Sequence, residues 1–236
     1  MKRRGFTRLG IACLGIGLLS AGLSYGDESA GARLKTSGDV FSEIMRAPDR
    51  GIPQDLLENA QCIVIVPGEK KAAFIVGGTY GRGFMLCRNA SGLGWSAPAG
   101  VKIEGGSVGF QIGASETDVI MLVMNKRGAT KLLSSKFTLG ADASVAAGPV
   151  GRTTSADTDA KLHAEILSYS RSRGAFAGIS LEGATLRPDA ESNASLYGKK
   201  LTNEQIVTGT IKTPKSASKL LADLNRHSAR KEASRD

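Results

Sequence analysis

The chain has 236 residues, 31 of them Lys or Arg against 22 Asp or Glu, so its formal charge is +9, and only 5% of it is aromatic. That length suits one domain with a sizeable core, and two histidines with no Cys-x-x-Cys or His-x-x-x-His spacing argue against a metal centre. The excess charge is gathered at the two ends, because residues 27–211 hold 20 cations and 19 acids, and this near-neutral, aromatic-poor middle argues against nucleic acid as a partner.

Residues 1–26 read as a secretory signal: Lys2, Arg3, Arg4 and Arg8 make a basic start, 9–23 an apolar core, and Ser24-Tyr25-Gly26 a small-residue exit. The apolar core is too short and too rich in glycine for a spanning helix of about 20 residues. The expectation is an exported chain beginning near Asp27, in the periplasm or cell envelope and peripheral to a membrane. Cys13, after Gly10-Ile11-Ala12, offers a lipoprotein alternative, although cleavage there would leave almost no hydrophobic core.

Beyond the leader, 39–47 places Val40, Phe41, Ile44 and Met45 at helical spacing and meets Pro48, and 53–61 has Pro in its first turn and a Leu pair. Both predict short helices. The periodicity then changes: 62–66, 72–76, 83–87, 107–112 and 119–124 are short β-branched or alternating runs bounded by Gly, Pro and Asn. A helix is predicted over 126–137, followed by strands at 143–147, 162–171 and 175–181, with Arg173-Gly174 as a hairpin turn. Strands outnumber helices and connections are short. The fold class is therefore α+β, a twisted antiparallel sheet, open or barrel-like, flanked by short helices.

Residues 212–236 form a basic C-terminal helix and tail, with seven cations against three acids. Leu220, Leu221 and Leu224 make an apolar stripe between Lys215, Lys219 and Arg226. Such a stripe either docks on the domain or lies on a bilayer surface.

Two cysteines follow the leader, Cys62 and Cys87, both in apolar strand-like runs. If those strands are neighbours a disulfide is possible; otherwise both are buried thiols. Gly105-Gly106-Ser107-Val108-Gly109 matches the nucleophile-elbow pattern, but the residues after Ser107 alternate like a strand where the elbow needs a helix. A serine hydrolase using Ser107 is the weakest of the readings. No phosphate-cradling Gly-x-x-x-x-Gly-Lys-Ser/Thr occurs, and 78–83 has the wrong glycine order for a dinucleotide fingerprint, so no cofactor is implied. Asp118, Asp142, Asp157 and Asp159 are scattered and read as turn formers, or, for Asp142, as a partner that orients Arg152.

The cations beside glycine are more informative. A phosphate needs Arg forks or Lys point charges plus backbone donors, and glycine lets a backbone approach. Lys70, Lys71, Arg82, Arg152, Arg171 and Arg173 are accordingly the candidate headgroup ligands.

Five separated blocks carry a family resemblance: IVIVPGEKKAAFIVGGTYGRG at 63–83, WSAP at 95–98, GFQIGASETD at 109–118, LGADASVAAGPVGR at 139–152 and YSRSRGAFAGISLEG at 169–183. Together they resemble the SYLF domain over residues 38–211. The resemblance implies a non-enzymatic, lipid-binding module, chiefly for phosphoinositide-like headgroups, with actin binding in some eukaryotic members. It departs at Cys62, where the family usually has a small residue, and at Leu196, where it has a second aromatic before Tyr197. The expected partner is an anionic phospholipid membrane. A structural or partner-binding envelope protein is the alternative.

Overall fold

The computed structural model describes residues 28–47, 51–89, 91–149, 164–172, 175–178 and 181–230, and the side chains within them outside 71–77, 106–115 and 172–178. Its spine is one long antiparallel ribbon, β1 (Cys62–Cys87) with β2 (Ala99–Val123), in register from Cys62↔Val123 to Met85↔Ala99. The five short strands expected over 62–124 are thus segments of two continuous ones. Pro67-Gly68, which looks like a turn, is instead a bulge between Val66 and Glu69, with Gly68 at φ +60°.

A straight strand of that length would span about 85 Å. Here the Cα atoms of Cys62 and Cys87, at its two ends, lie 3.9 Å apart, and Arg88 N–H donates to the Gln61 carbonyl at 2.8 Å. The ribbon therefore curls back until the second arm of β1 lies against its first. Gly83 is what permits this contact: a Cβ there would stand 2.1 Å from the Ile65 carbonyl oxygen and 2.7 Å from Val66 Cα.

β2 is the hub of the curled sheet. It pairs antiparallel with β5 (Ile166–Ser172) and with β7 (Thr185–Pro188); β7 continues to β3 (Phe137–Thr138), and β5 to β6 (Ala175–Gly178). One pairing departs from the all-antiparallel expectation, since β4 (Val145–Ala147) runs parallel to β5. The α+β class holds, with a mixed sheet curled into a half-barrel.

Both sheet faces are covered, which is why the run Cys62-Ile-Val-Ile-Val66 is apolar without a gap. Ile63, Ile65, Phe84 and Leu86 point into one core, against α1 (Ala30–Arg46), α2 (Gln54–Asn59) and the C-terminal helix α6 (Ser218–His227). Val64, Val66, Met85 and Val101 point into the other, with Phe137, Leu186 and helices α3 (Lys126–Leu132) and α5 (Asn203–Thr208).

α1 begins well before the predicted 39–47, because Ser29 caps it, its Oγ accepting from Ala32 N. α3 stops at Leu132, short of the predicted 137, and is capped by Asn125, whose Oδ1 accepts from Gly128 N at 2.7 Å. α4 (Ala190–Tyr197) and α5 had no counterpart in the sequence reading. α6 is docked: Leu220 and Leu224 are fully buried, and Gly38 of α1 lets the Leu220 backbone approach to 3.4 Å of where its Cβ would be. Lys219 pairs with Asp39 at 2.5 Å across the same seam. Of the two readings of the leucine stripe, the packed one describes this helix.

Candidate functional site

Arg82 on β1 stands opposite Lys102 on β2, and both turn to Asp189, the N-cap residue of α4. Arg82 Nε donates to Asp189 Oδ2 at 2.7 Å and Nη2 to Oδ1 at 3.1 Å; Lys102 Nζ is 3.8 Å from Oδ1. Burial alone would raise the Asp189 carboxyl, but hydrogen bonds from Arg82 and Ser192 outweigh it and hold the group below the usual carboxylate range. Beneath it, Asn193 Oδ1 accepts from Gly100 N at 2.7 Å, where a side chain on residue 100 would collide with the Asp189 carbonyl. Arg82 is thus part of a buried network that fastens α4 to the ribbon.

Arg171 on β5 is similarly engaged. It faces Asp118 across the β2–β5 ladder, with Nε 2.6 Å from Oδ2, and it also pairs with Glu43 of α1. Asp118 Oδ1 accepts from Gly68 N at 2.9 Å, so one carboxylate joins the β1 bulge to β5. Burial raises the Asp118 carboxyl above its ordinary value, against the lowering effect of the Gly68 bond. Read from sequence as a turn former, Asp118 is a strand residue in an ion pair. Asp142 does make a local turn bond, Oδ2 accepting from Thr138 N at 2.6 Å.

Lys70 is exposed just past the bulge, opposite Glu116. The backbone of Lys71 pairs with Ser115, its side chain lying outside the described set; Arg152, Arg173, Asp157 and Asp159 lie outside the described residues altogether. Lys70 and Arg82 meet in one cavity of about 450 Å³, which Arg33, Tyr80, Glu116 and Asp118 also line. Its charge is mixed. Tyr80, 46% exposed, is the one large hydrophobic side chain open to solvent among the described residues, and it sits on this rim. Tyr80 is not among the sequence candidates; its only local signal is an aromatic among the glycines of 77–83.

Cys62 and Cys87 are joined by a disulfide that ties the two ends of β1. The Gly-x-Ser-x-Gly stretch lies inside β2, with Ser107 opposite Gly77, so it has no strand-to-helix turn of the kind a nucleophile elbow requires.

Residues 104–227 match the sequence model of the Ysc84 family, described as Las17-binding protein actin regulator. The chain belongs to this family, whose shared unit is the SYLF domain. Over 178 residues it is 37% identical to an SH3 domain-containing protein of Schizosaccharomyces pombe, covering 74% of this chain and 41% of the relative. It is 34% identical over 177 residues to protein YSC84 of Saccharomyces cerevisiae (73% and 37%) and 35% identical over 175 residues to SH3 domain-containing YSC84-like protein 1 of Xenopus laevis (73% and 52%). The chain therefore spans about half, or less, of these curated relatives' length. Within the SYLF match fall Asp118, Arg171 and Asp189, and also α6, which the sequence reading had set apart as a tail.

Proposed function

We propose that this SYLF domain is a non-enzymatic module that associates with anionic phospholipid at a membrane surface, after export by its leader. The observation that carries the reading is the pairing of exposed Lys70 with exposed Tyr80 on one rim. An ammonium at the end of a flexible stem and an aromatic ring with a polar tip are the combination that suits the headgroup layer. Lys71, Arg152 and Arg173 belong to the same proposal on sequence grounds. Arg82 and Arg171 contribute by holding the rim in shape, since their guanidiniums already face carboxylates.

Co-sedimentation with vesicles of phosphatidylcholine alone, or with anionic lipid added, tests it. Anionic vesicles should retain the protein, salt should weaken retention, and Lys70→Glu or Tyr80→Ser should reduce it. Equal retention of both variants, or none of the wild type, overturns the reading.

A second reading has its own support. The family description and its relatives' names point to protein ligands, Las17 and actin regulation among them. For an exported chain the equivalent would be an envelope protein, and capture of that partner without any lipid would favour it.

A further inference from the structure

The cavity that holds the disulfide is electrostatically unlike the first. It measures about 510 Å³, and Arg88, Lys126 and Arg230 line it together with Cys62 and Cys87; among its described lining residues none is acidic. Arg88 and Arg230 both cap the C-terminal end of α2. Arg88 donates from Nε to the Ala60 carbonyl at 3.2 Å and from Nη2 to those of Leu57 and Glu58 at 3.0 and 3.2 Å. Arg230 donates from Nε to the Glu58 carbonyl at 2.5 Å and from Nη2 to those of Asn59 and Ala60, both at 2.9 Å.

The two guanidiniums thus share the Glu58 and Ala60 carbonyls, and two full positive charges meet a helix end worth roughly half a negative charge. Lys126 adds a third positive charge on the cavity wall. The Glu58 carboxylate does not line the cavity; it accepts from Gln54 Nε2 at 2.8 Å on the outer side of α2. Arg88 is further fixed by Trp95, whose ring centroid lies 4.1 Å from its guanidinium carbon, and its Nη1 is buried without a hydrogen-bond partner among the described residues. A buried donor left without an acceptor is destabilising. Burial first, and then the charge of Arg230, pull the Arg88 guanidinium down to about 10, the Glu58 charge offsetting them only in part, so it stays protonated at neutral pH while Arg230 works against it.

From this surplus we infer that the cavity between the joined ends of β1 and the helices α3 and α5 binds a phosphate-type oxyanion, held by Arg88, Arg230 and Lys126. A small anion there supplies further countercharge to the three cations that line the cavity. The site goes beyond the lipid-facing rim, with which it shares no lining residue.

Calorimetric titration of inorganic phosphate into the purified protein, in an oxyanion-free buffer of low ionic strength, is the test, with phosphatidate-containing vesicles as a second arm. Lys126→Gln is the decisive variant, because Lys126 is exposed and takes no part in capping α2, so its loss should leave the fold intact. Saturable phosphate binding that Lys126→Gln weakens about tenfold, and that Lys70→Gln leaves unchanged, establishes a free-anion site. If free phosphate does not bind but the vesicles do, and only Lys126→Gln releases them, the ligand is a monoester headgroup at the same cavity. Phosphate and vesicle binding that are both absent, or both indifferent to Lys126→Gln, overturn the inference. Wild-type protein that ignores vesicles yet binds phosphate in a Lys126-dependent way overturns the rim reading alone.

Discussion

Arg82 and Asp189, 107 residues apart, form a two-point ion pair that is also a helix cap: the carboxylate that accepts the guanidinium accepts Ser192 N at 3.2 Å as well. One buried side chain therefore starts α4 and fastens it to β1. The geometry leaves Arg82 little freedom to meet a ligand.

Arg82→Ala should lower stability by about 3 kcal/mol, because it leaves a buried carboxylate with only Lys102 at 3.8 Å and the Ser192 bonds, and Arg82→Lys should restore only part of that, since an ammonium cannot reproduce the fork. Denaturant unfolding at neutral pH measures both. The pH dependence has a definite sign. A carboxyl held below its ordinary value contributes its full stability above that value and loses it as pH falls through the folded one. Wild type should weaken below about pH 4, and Asp189→Ala should show a shallower fall there.

Gly83 and Gly78 make a matched pair for testing the curl of β1. A Cβ on residue 83 would enter the Ile65 backbone, whereas one on residue 78 meets nothing within 4 Å. Gly83→Ala should cost about 3 kcal/mol or prevent folding, while Gly78→Ala should stay within about 0.5 kcal/mol of wild type. Thermal unfolding of the two proteins gives the comparison directly. Equal melting temperatures would mean the arms of β1 do not touch.

The disulfide closes a loop of sequence separation 25. By the chain-entropy relation such a closure stabilises by about 3.5 kcal/mol, so Cys62→Ala/Cys87→Ala should lower the unfolding midpoint accordingly. Under non-reducing denaturing conditions, thiol titration should find neither Cys62 nor Cys87 reactive.

Some of this was legible in the residues and some was not. Alternation and β-branching marked the strand segments correctly, because pleat geometry is local. Their continuity was hidden, since Pro67-Gly68 and the glycines of 77–83 carry the same chemistry whether the chain reverses or merely bulges and bends. Ser29 is the local sign that α1 starts before residue 39; the stretch after it is mostly small or polar, anchored by buried Leu34, with Gly38 admitting α6. Glycine neighbours single out the candidate cations, yet Arg82 and Arg171 meet acids far away in sequence, which no local pattern shows. Arg88 and Arg230 carry no local signal for the same reason: one ends a strand and the other lies in a basic tail, and the curl of β1 sets the first, the docking of α6 the second, on the last turn of α2.

The C-terminal helix gives the last prediction. Leu220 and Leu224 are fully buried against α1, Ser42 Oγ lies 2.5 Å from Asp223 Oδ2, and Trp95 Nε1 donates to Ser228 Oγ at 3.0 Å just past the helix end. A helix held by a buried stripe and polar bonds on both sides is part of the domain, so Leu224→Ala should cost about 2–5 kcal/mol, as other leucine truncations in full cores do. If α6 instead left the domain to lie on a bilayer, the same truncation would weaken vesicle retention and spare the melting temperature. Measuring both on one variant separates the two, and the packing described here requires the loss to appear in stability, with retention unchanged at temperatures where the variant is folded.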